Sequence, residues 1–229
     1  SALERVGMID GLAPKEDIRS VRFDGSRGYV VTFKKTDPLF VFDLADPANP
    51  QKMAELKIPG FSTYMQMLDA NHLLSIGYDA DDHGSFAYFS GVLLQIFDVT
   101  DASDPRLVQR HVIGTRGSSS EALTNHLAFT YFAPKKLLAI PMTICEDGGD
   151  GRTGRNMTFS GLMVFDVSVD RGFSERGRVA HPRGPSATCS NWWTNASSDV
   201  QRSIFMDDFV YSISDVRVKA NRIDALSTD

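Results

Sequence analysis

The sequence predicts an all-β fold, a β-propeller of four-stranded antiparallel blades with about four blades in its 229 residues. The phrase LFVFDLADPANP at residues 39–50 returns as LQIFDVTDASDP at 94–105 and as LMVFDVSVD at 162–170. Short apolar runs rich in Val, Ile, Phe and Tyr are broken by Gly, Pro, Asp and Asn, which is typical of strands and turns. A period of about 55 residues indicates stacked units that each bury one face on a neighbour.

The repeated phrase defines the blade units. Aligning Asp43, Asp98 and Asp166 on their Phe-Asp pair places a fainter fourth copy at Asn221, within VRVKANRID. We take the whole chain, residues 1–229, as one propeller domain or a fragment of one. The predicted units are 18–58, 62–113, 126–180 and 202–224.

Each of the first three units divides into four short strands and the last into three, and no stretch of ten or more residues keeps a clear helical period. The repeated phrases are the third strands. The predicted innermost strands are 21–23, 63–68, 126–132 and 202–206. The predicted second strands are 29–33, 72–77, 136–141 and 209–214. The predicted fourth strands are 51–58, 106–113 and 173–180.

The acidic residues that end each third strand have a structural interpretation. Asp43 and Asp46, like Asp98 and Asp101, precede prolines, and Asp side chains hold turn backbones while Pro fixes φ. The alternative is that these pairs are catalytic dyads. Their recurrence from unit to unit favours turns, since an active site is normally built once.

The ends of the chain leave two arrangements open. Residues 3–10, LERVGMID, fit a fourth strand without a unit of their own, whereas the last unit lacks a fourth strand. Pairing the two would close a four-bladed ring and remove exposed sheet edges. Alternatively, the chain is a piece of a longer propeller, and this strand belongs to another blade.

Composition excludes some classes of partner. The chain has 24 Lys and Arg against 29 Asp and Glu, a net charge of −5, and its basic residues are scattered. Nucleic-acid binding usually needs clustered basic residues, so no nucleic-acid partner is expected. No segment approaches the roughly 18 apolar residues of a membrane helix. We expect a monomer without a transmembrane segment.

Three stretches carry a family resemblance: residues 11–82, from GLAPKEDIRS to SIGYDADD; SSSEALTNHLAF at 118–129; and FVYSISDVRVKAN at 209–221. They resemble the bacterial secreted β-propeller family that is distantly related to WD40 repeats. The resemblance runs from Leu3 to Ile223 and looks like the last part of the family domain. It implies the C-terminal part of a longer exported or surface-attached protein, and it carries over no catalytic residues.

Two connections between second and third strands are long, at residues 79–90 and 143–160, and long loops without structure of their own are usually functional or mobile. Both are acidic, and oxygen ligands on a tightly turning loop suit Ca²⁺. No other cofactor is indicated. A solvated acidic turn is the alternative to metal at each loop. The candidate metal ligands are Asp79, Asp81 and Asp82 in the first loop and Glu146, Asp147 and Asp150 in the second.

Cys145 and Cys189 fall on the same predicted face of the propeller, and neither belongs to a CxxC pattern, which argues against zinc. Two free thiols remain one alternative. For an exported protein, as the resemblance implies, we favour a disulfide, which would pin the second long loop to its neighbour.

Three polar residues lie where the chain enters the third unit. No catalytic residue is assigned: Glu121 and His126 are weak candidates, with Asn125 beside them, because propellers can carry Glu, Asn and His sites, but no nucleophile is fixed and no G-x-S-x-G turn is present. The ordinary alternative is that His126 hydrogen-bonds to the loop backbone.

Aromatic residues of the loop connections suggest a binding surface, since aromatics with a polar rim are typical of interfaces and glycan platforms. They are equally compatible with satellite core that covers the blade ends. The candidate residues of this binding face are Tyr88, Phe89, Asn125, Trp192 and Trp193.

The leading hypothesis is a non-enzymatic binding or scaffolding module of an exported bacterial protein, with a protein or glycan partner on the loop-rich face. The alternative is a metal-dependent hydrolase or lyase that uses Ca²⁺ at the acidic loops and Glu121 with His126 near the channel. A structural spacer is a third hypothesis. Fold alone does not choose among them.

Overall fold

A computed structural model describes residues 3–33, 37–58, 60–82, 87–146, 154–181, 188–189 and 198–227, and in the strands it leaves out the side chains at positions 37, 81, 82, 87 and 88. The described chain forms four antiparallel sheets, each built from strands that follow one another in sequence. This arrangement confirms the predicted fold class.

The sheets are numbered as blades one to four. Blade one holds β1 (Asp17–Asp24), β2 (Arg27–Phe33), β3 (Asp37–Asp43) and β4 (Gln51–Ile58). Blade two holds β5 (Phe61–Asp69), β6 (His72–Asp82), β7 (Ala87–Asp98) and β8 (Arg106–Ile113). Blade three holds β9 (Thr130–Phe132), β10 (Leu137–Glu146), β11 (Asn156–Ser168) and β12 (Gly172–Ala180). Blade four holds β13 (Val200–Met206), β14 (Phe209–Ser214) and β15 (Val218–Arg222).

The innermost strand of blade three is shorter than expected. Of the predicted strand at 126–132, only Thr130–Phe132 pairs with β10. The preceding residues form 3₁₀ turns at Glu121–Leu123 and His126–Ala128. The Ser120 side chain caps the first turn and the Asn125 side chain caps the second, each by accepting a backbone N–H from within the turn. A third such turn, Ala133–Lys135, joins β9 to β10. Ser and Asn favour caps over strand interiors, which explains the difference.

The expected N-terminal strand does not form. Residues 3–10 belong to no sheet, and among the described residues the fourth sheet is made of β13, β14 and β15. Gly7 instead lies against the turn of blade one, where an added Cβ would come within 2.1 Å of the Pro47 carbonyl oxygen. The segment around Gly7 therefore lies beside blade one.

Three apolar seams hold neighbouring blades together. Tyr29, Val31, Leu39 and Val41 of blade one pack with residues such as Phe97 of blade two. The blade two and three seam is the largest and also takes in residues of the 3₁₀ turns. The blade three and four seam joins residues of β10 and β11 to Val200, Val210 and Ile223. Burial of alternate strand residues on facing sheets is the main stabilising term.

We call the end of the blades that carries the β1–β2 and β3–β4 turns and their repeats the lower end. Asp43 and Asp98 each accept the backbone N–H of the second residue after them, at 2.8 and 2.9 Å, and Asp101 does the same at 2.9 Å. The turn interpretation is therefore confirmed. Arg27 of blade one donates to the Val99 carbonyl at 2.7 Å, which ties this turn to the adjacent blade.

The fourth copy of the repeat is displaced by one residue from the predicted alignment. Asp43, Asp98 and Asp166 each pair with the first residue of the second strand of their blade. In blade four that partner of Phe209 is Arg222, not Asn221. Asn221 is buried and donates to the Leu226 carbonyl at 3.2 Å.

Candidate binding face at the upper end of the blades

The opposite end of the blades, the upper end, carries the connections between second and third strands and those between blades. Here strand occupies residues 79–82 and 87–90 of the first predicted long loop and residues 143–146 and 156–160 of the second. β6 and β7 stay paired as far as Asp82 and Ala87, which we call ribbon one. β10 and β11 stay paired as far as Glu146 and Asn156, which we call ribbon two. Alternating β-formers such as Tyr88 and Phe89 or Met157 and Phe159 extend the ladder and were the overlooked signal.

Ribbon one rests on aromatic packing at its base. The ring of Phe89 lies 5.6 Å from that of Phe33 and 5.5 Å from that of Phe61, and these two rings are 4.6 Å apart. The Arg19 guanidinium lies over both, 5.9 Å from the Phe33 ring and 6.0 Å from the Phe61 ring. Phe89 is half-buried, so one part of its surface anchors the ribbon and the other faces solvent.

Asp79 is held within the base of ribbon one by an ion pair. Its carboxylate accepts from the Arg110 guanidinium of β8, and Asp79 itself is only 8% exposed. A buried carboxylate needs such a partner, because desolvation of an unpaired charge is costly. The pair joins the second and fourth strands of blade two, β6 and β8, just below the ribbon.

Ribbon two is fixed by the disulfide between Cys145 and Cys189, which confirms the predicted bridge. The Cys145 carbonyl accepts from the Thr115 N–H at 3.1 Å and from the Thr115 hydroxyl at 2.7 Å. The Ser118 hydroxyl accepts from the Cys145 N–H at 2.9 Å. Cys145 is thus anchored to the connection from blade two as well as to the segment around Cys189.

The same connection runs along β10 as an added edge. Ser119 exchanges two backbone hydrogen bonds of 2.9 Å with Thr143, and the Ser120 hydroxyl donates to the Pro141 carbonyl at 2.5 Å. Ser118, Ser119 and Ser120 are all buried. Small hydroxyl side chains allow this close approach and satisfy backbone groups that a loop would otherwise leave unpaired.

The weak catalytic candidates lie on the 3₁₀ turns and make separate contacts. Asn125 donates to the Glu121 carboxylate at 3.4 Å and caps the second turn by accepting the Leu127 N–H at 3.1 Å. The exposed His126 ring stacks on Tyr64 of β5 with 6.2 Å between centroids. These contacts link Asn125 to the first turn and His126 to β5.

His181 is a polar site that sequence reasoning missed. It follows β12 and is 5% exposed, and its Nε2 lies 2.7 Å from the Ser212 hydroxyl of β14. Its Nδ1 finds no hydrogen-bond partner in the described part of the chain. Burial lowers the pKa of His181, with Lys219 and Arg217 adding to the effect and Asp199 opposing it. A single His after a strand is not a pattern that predicts burial or a contact with a neighbouring blade.

The remaining predicted site residues lie partly outside the described residues. Asp147, Asp150, Trp192 and Trp193 fall there, as do the side chains of Tyr88, Asp81 and Asp82. In the described part of the chain, no three His, Cys, Asp or Glu side chains converge as a metal site would require. The described residues likewise include no helix long and apolar enough to span a membrane.

Four sequential antiparallel sheets, stacked through apolar seams with their connections at two ends, define a protein of the β-propeller class. The family model described as "Beta propeller domain" matches residues 1–226, and the chain belongs to that family.

Two relatives match part of the chain. An uncharacterized protein of Archaeoglobus fulgidus is 40% identical over 139 residues, 61% of this chain and 21% of that protein. An uncharacterized protein of Methanocaldococcus jannaschii is 37% identical over 141 residues, 62% of this chain and 21% of that protein. The chain therefore matches about a fifth of the length of these relatives. Both are archaeal, whereas the sequence resemblance implied a bacterial family.

Among solved structures, the computationally designed Ika4 protein aligns with 97% of this chain and 99% of its own chain, with 12% identity and a TM-score of 0.47.

Proposed function

We propose that the chain is a non-enzymatic binding or scaffolding module whose partner docks on the upper end of the blades. The observation that carries this proposal is the asymmetry between the two ends. Short turns with a repeated Asp bond form the lower end, whereas two ribbons, a disulfide and a capped pair of 3₁₀ turns form the upper end. Functional residues concentrate on connections that a rigid scaffold positions.

The bases of both ribbons are anchored by contacts of the kind that support a recognition surface. Ribbon one is anchored by Phe33, Phe61 and Phe89, and ribbon two by Cys145 and the serines that pair with β10. Binding costs less when loops are ordered before the partner arrives, so these anchors favour affinity.

The chemistry of this end fits a protein or a glycan. Phe89 presents a partly exposed ring next to Phe33, over which the Arg19 guanidinium lies. The sequence of ribbon one also contains Tyr88 and the acidic residues Asp81 and Asp82. Aromatic faces with polar neighbours are the usual anchors for both kinds of partner. Trp192 and Trp193, in the connection that the disulfide pins, belong to the same proposed face.

An extracytoplasmic location is part of the proposal. Disulfides form and persist mainly in oxidising compartments, and the Cys145–Cys189 bridge supports export to such a compartment. Fractionation of the source organism, followed by thiol labelling without reductant, tests it. A cytoplasmic chain with both thiols free would contradict the location.

The enzymatic alternative has no described arrangement that favours it. Asp79, one of the proposed calcium ligands, is engaged by Arg110, and Glu121 bonds to Asn125 rather than to His126 among the contacts found. We therefore advance one function.

The proposal is tested with two matched variants. In the upper-end variant, Asn-Gly replaces residues 81–88, so that Ala80 and Phe89, which already face each other, are joined by a two-residue hairpin turn. In the lower-end variant, Asp43→Asn and Asp98→Asn change charge while keeping the turn acceptors. Binding to a glycan panel and to envelope proteins of the source organism should be lost only in the upper-end variant. Loss in neither variant, or in the lower-end variant alone, would refute the proposal.

A further inference from the structure

The four blades share one register, and it allows their faces to be compared position by position. Counting from the first residue of each second strand, the third and fifth residues pair with two residues of the third strand. The resulting pairs are Tyr29 with Val41 and Val31 with Leu39 in blade one, Leu74 with Ile96 and Ile76 with Leu94 in blade two, and Ala139 with Val164 and Pro141 with Leu162 in blade three.

These twelve residues have one role. All are buried, and they face the next blade in sequence: those of blade one pack in the seam with blade two, those of blade two in the seam with blade three, and those of blade three next to blade four. We call this side of a blade its forward face.

Blade four keeps the same apolar register on its forward face but buries it poorly. The equivalent pairs are Tyr211 with Ala220 and Ile213 with Val218. Val218 is 61% exposed, Ala220 is exposed, and Tyr211 and Ile213 are half-buried. Ile204 and Met206 of β13, which pair with Tyr211 and Phe209, are also exposed. Two exposed cations border this patch on the same face, Arg202 opposite Ile213 and Arg222 opposite Phe209. An exposed apolar patch with a polar rim marks an interaction surface.

We propose that the forward face of blade four packs against a further blade of the same kind, outside this chain of four. The expected occupant is a β-sheet with apolar residues at the second register position, as in Leu73 and Leu138, because those positions receive the forward faces of blades one and two. The archaeal relatives, which are about five times as long as the stretch that they share with this chain, have room for such blades.

Blade one of the same chain is a poorer occupant, although it would close a ring of four. Its outer face is already covered: Phe40 and Phe42 are 2% and 4% exposed. Residues 11–16 lie along this face beside Pro38 and Phe40, and the Thr32 hydroxyl donates to the Glu16 carboxylate at 2.6 Å. Closing the ring onto blade four would displace that segment.

The test measures how fast a thiol reagent labels Ala220→Cys, in the 229-residue chain and in the natural-length polypeptide that carries it. The change from alanine to cysteine alters the side-chain volume little, and residue 220 lies at the centre of the forward face. Val216→Cys, in the exposed turn beside it, is the matched control. We expect Ala220→Cys to react as fast as the control in the 229-residue chain, and at least about 100-fold more slowly in the natural-length polypeptide, where labelling would need a local opening.

A bifunctional cross-linker attached at Ala220→Cys then identifies the cover. Cross-links from the natural-length polypeptide to residues outside the four blades support the proposal. Fast labelling in both lengths overturns it. Protection already present in the 229-residue chain also overturns it, since it shows ring closure if it survives dilution and a second copy of the chain if it does not. These outcomes do not depend on a partner at the upper end.

Discussion

The two ends of the blades differ in how they repeat. At the lower end, Asp43 and Asp98 lie in equivalent turns of successive blades, and each accepts a hydrogen bond from the backbone N–H two residues later. Arg27 of β2 donates to the Val99 carbonyl in the turn of the next blade. At the upper end the connections share no such pattern: one is an aromatic-based ribbon, one is tied by a disulfide, and one is built from 3₁₀ turns. Repetition therefore builds the scaffold, and departure from it indicates where a site is built.

The largest effect is expected from the disulfide at the upper end. A bridge between residues separated by 44 positions constrains the unfolded chain, which corresponds to about 4 kcal/mol in the chain-entropy estimate. The Cys145→Ser, Cys189→Ser double variant should lose about that much free energy of unfolding in urea titrations. Reductant should lower the stability of the native sequence and leave the double variant unchanged. Equal stability of the two proteins would show that the bridge does not organise this end.

A smaller loss is expected at the base of ribbon one. Arg110→Met leaves Asp79 buried without its cation, and an unpaired polar group in this setting costs roughly 1–3 kcal/mol. Asp79→Asn combined with Arg110→Met should recover much of the loss, because the remaining group is neutral. A double-mutant cycle in urea measures this coupling, and purely additive losses would contradict it.

At the lower end a single turn bond should contribute less. Asp98→Ala removes the acceptor for the Thr100 N–H and should cost about 0.5–1.5 kcal/mol, whereas Asp98→Asn keeps an acceptor and should cost less. Hydrogen bonds from Thr100 hold the pKa of Asp98 below its ordinary value. Its contribution is therefore present above pH about 4 and is lost on acidification through the folded-state pKa. The difference between the Asp98→Ala variant and the native chain should shrink below that pH.

The smallest expected effect is a pH dependence at His181. Because burial lowers its pKa in the folded state, the unfolded chain binds the proton first, and the free energy of unfolding should decline as pH falls below about 6.5. His181→Gln should flatten this decline. Burial also lowers the pKa of His111, so the difference between native and variant curves is the quantity to compare. If the free energy of unfolding depends on pH equally in the native chain and in the His181→Gln variant, protonation of His181 does not contribute to that dependence.

The sequence predicts the repeating parts of this molecule better than the rest. Strand order and the Asp43 and Asp98 turns follow from local patterns that recur, and so do most strand positions. The sequence predicts loops where the ribbons form, because Gly and acidic residues interrupt the alternation of apolar and polar residues there. The Asp79–Arg110 pair depends on a register that no local pattern encodes. The strand expected at 3–10 does not form, because an alternating pattern predicts a strand without specifying which strand it pairs with.

The most direct test of the central claim uses the upper-end and lower-end variants side by side, each shown by urea titration to be folded. Binding of the native chain, the variant lacking residues 81–88 and the Asp43→Asn, Asp98→Asn variant is measured against one immobilised envelope fraction of the source organism. We predict that the lower-end variant binds like the native chain and that the upper-end variant does not. A folded upper-end variant that binds with native affinity, or a lower-end variant that loses binding, would contradict the claim that the departures from the repeat form the site.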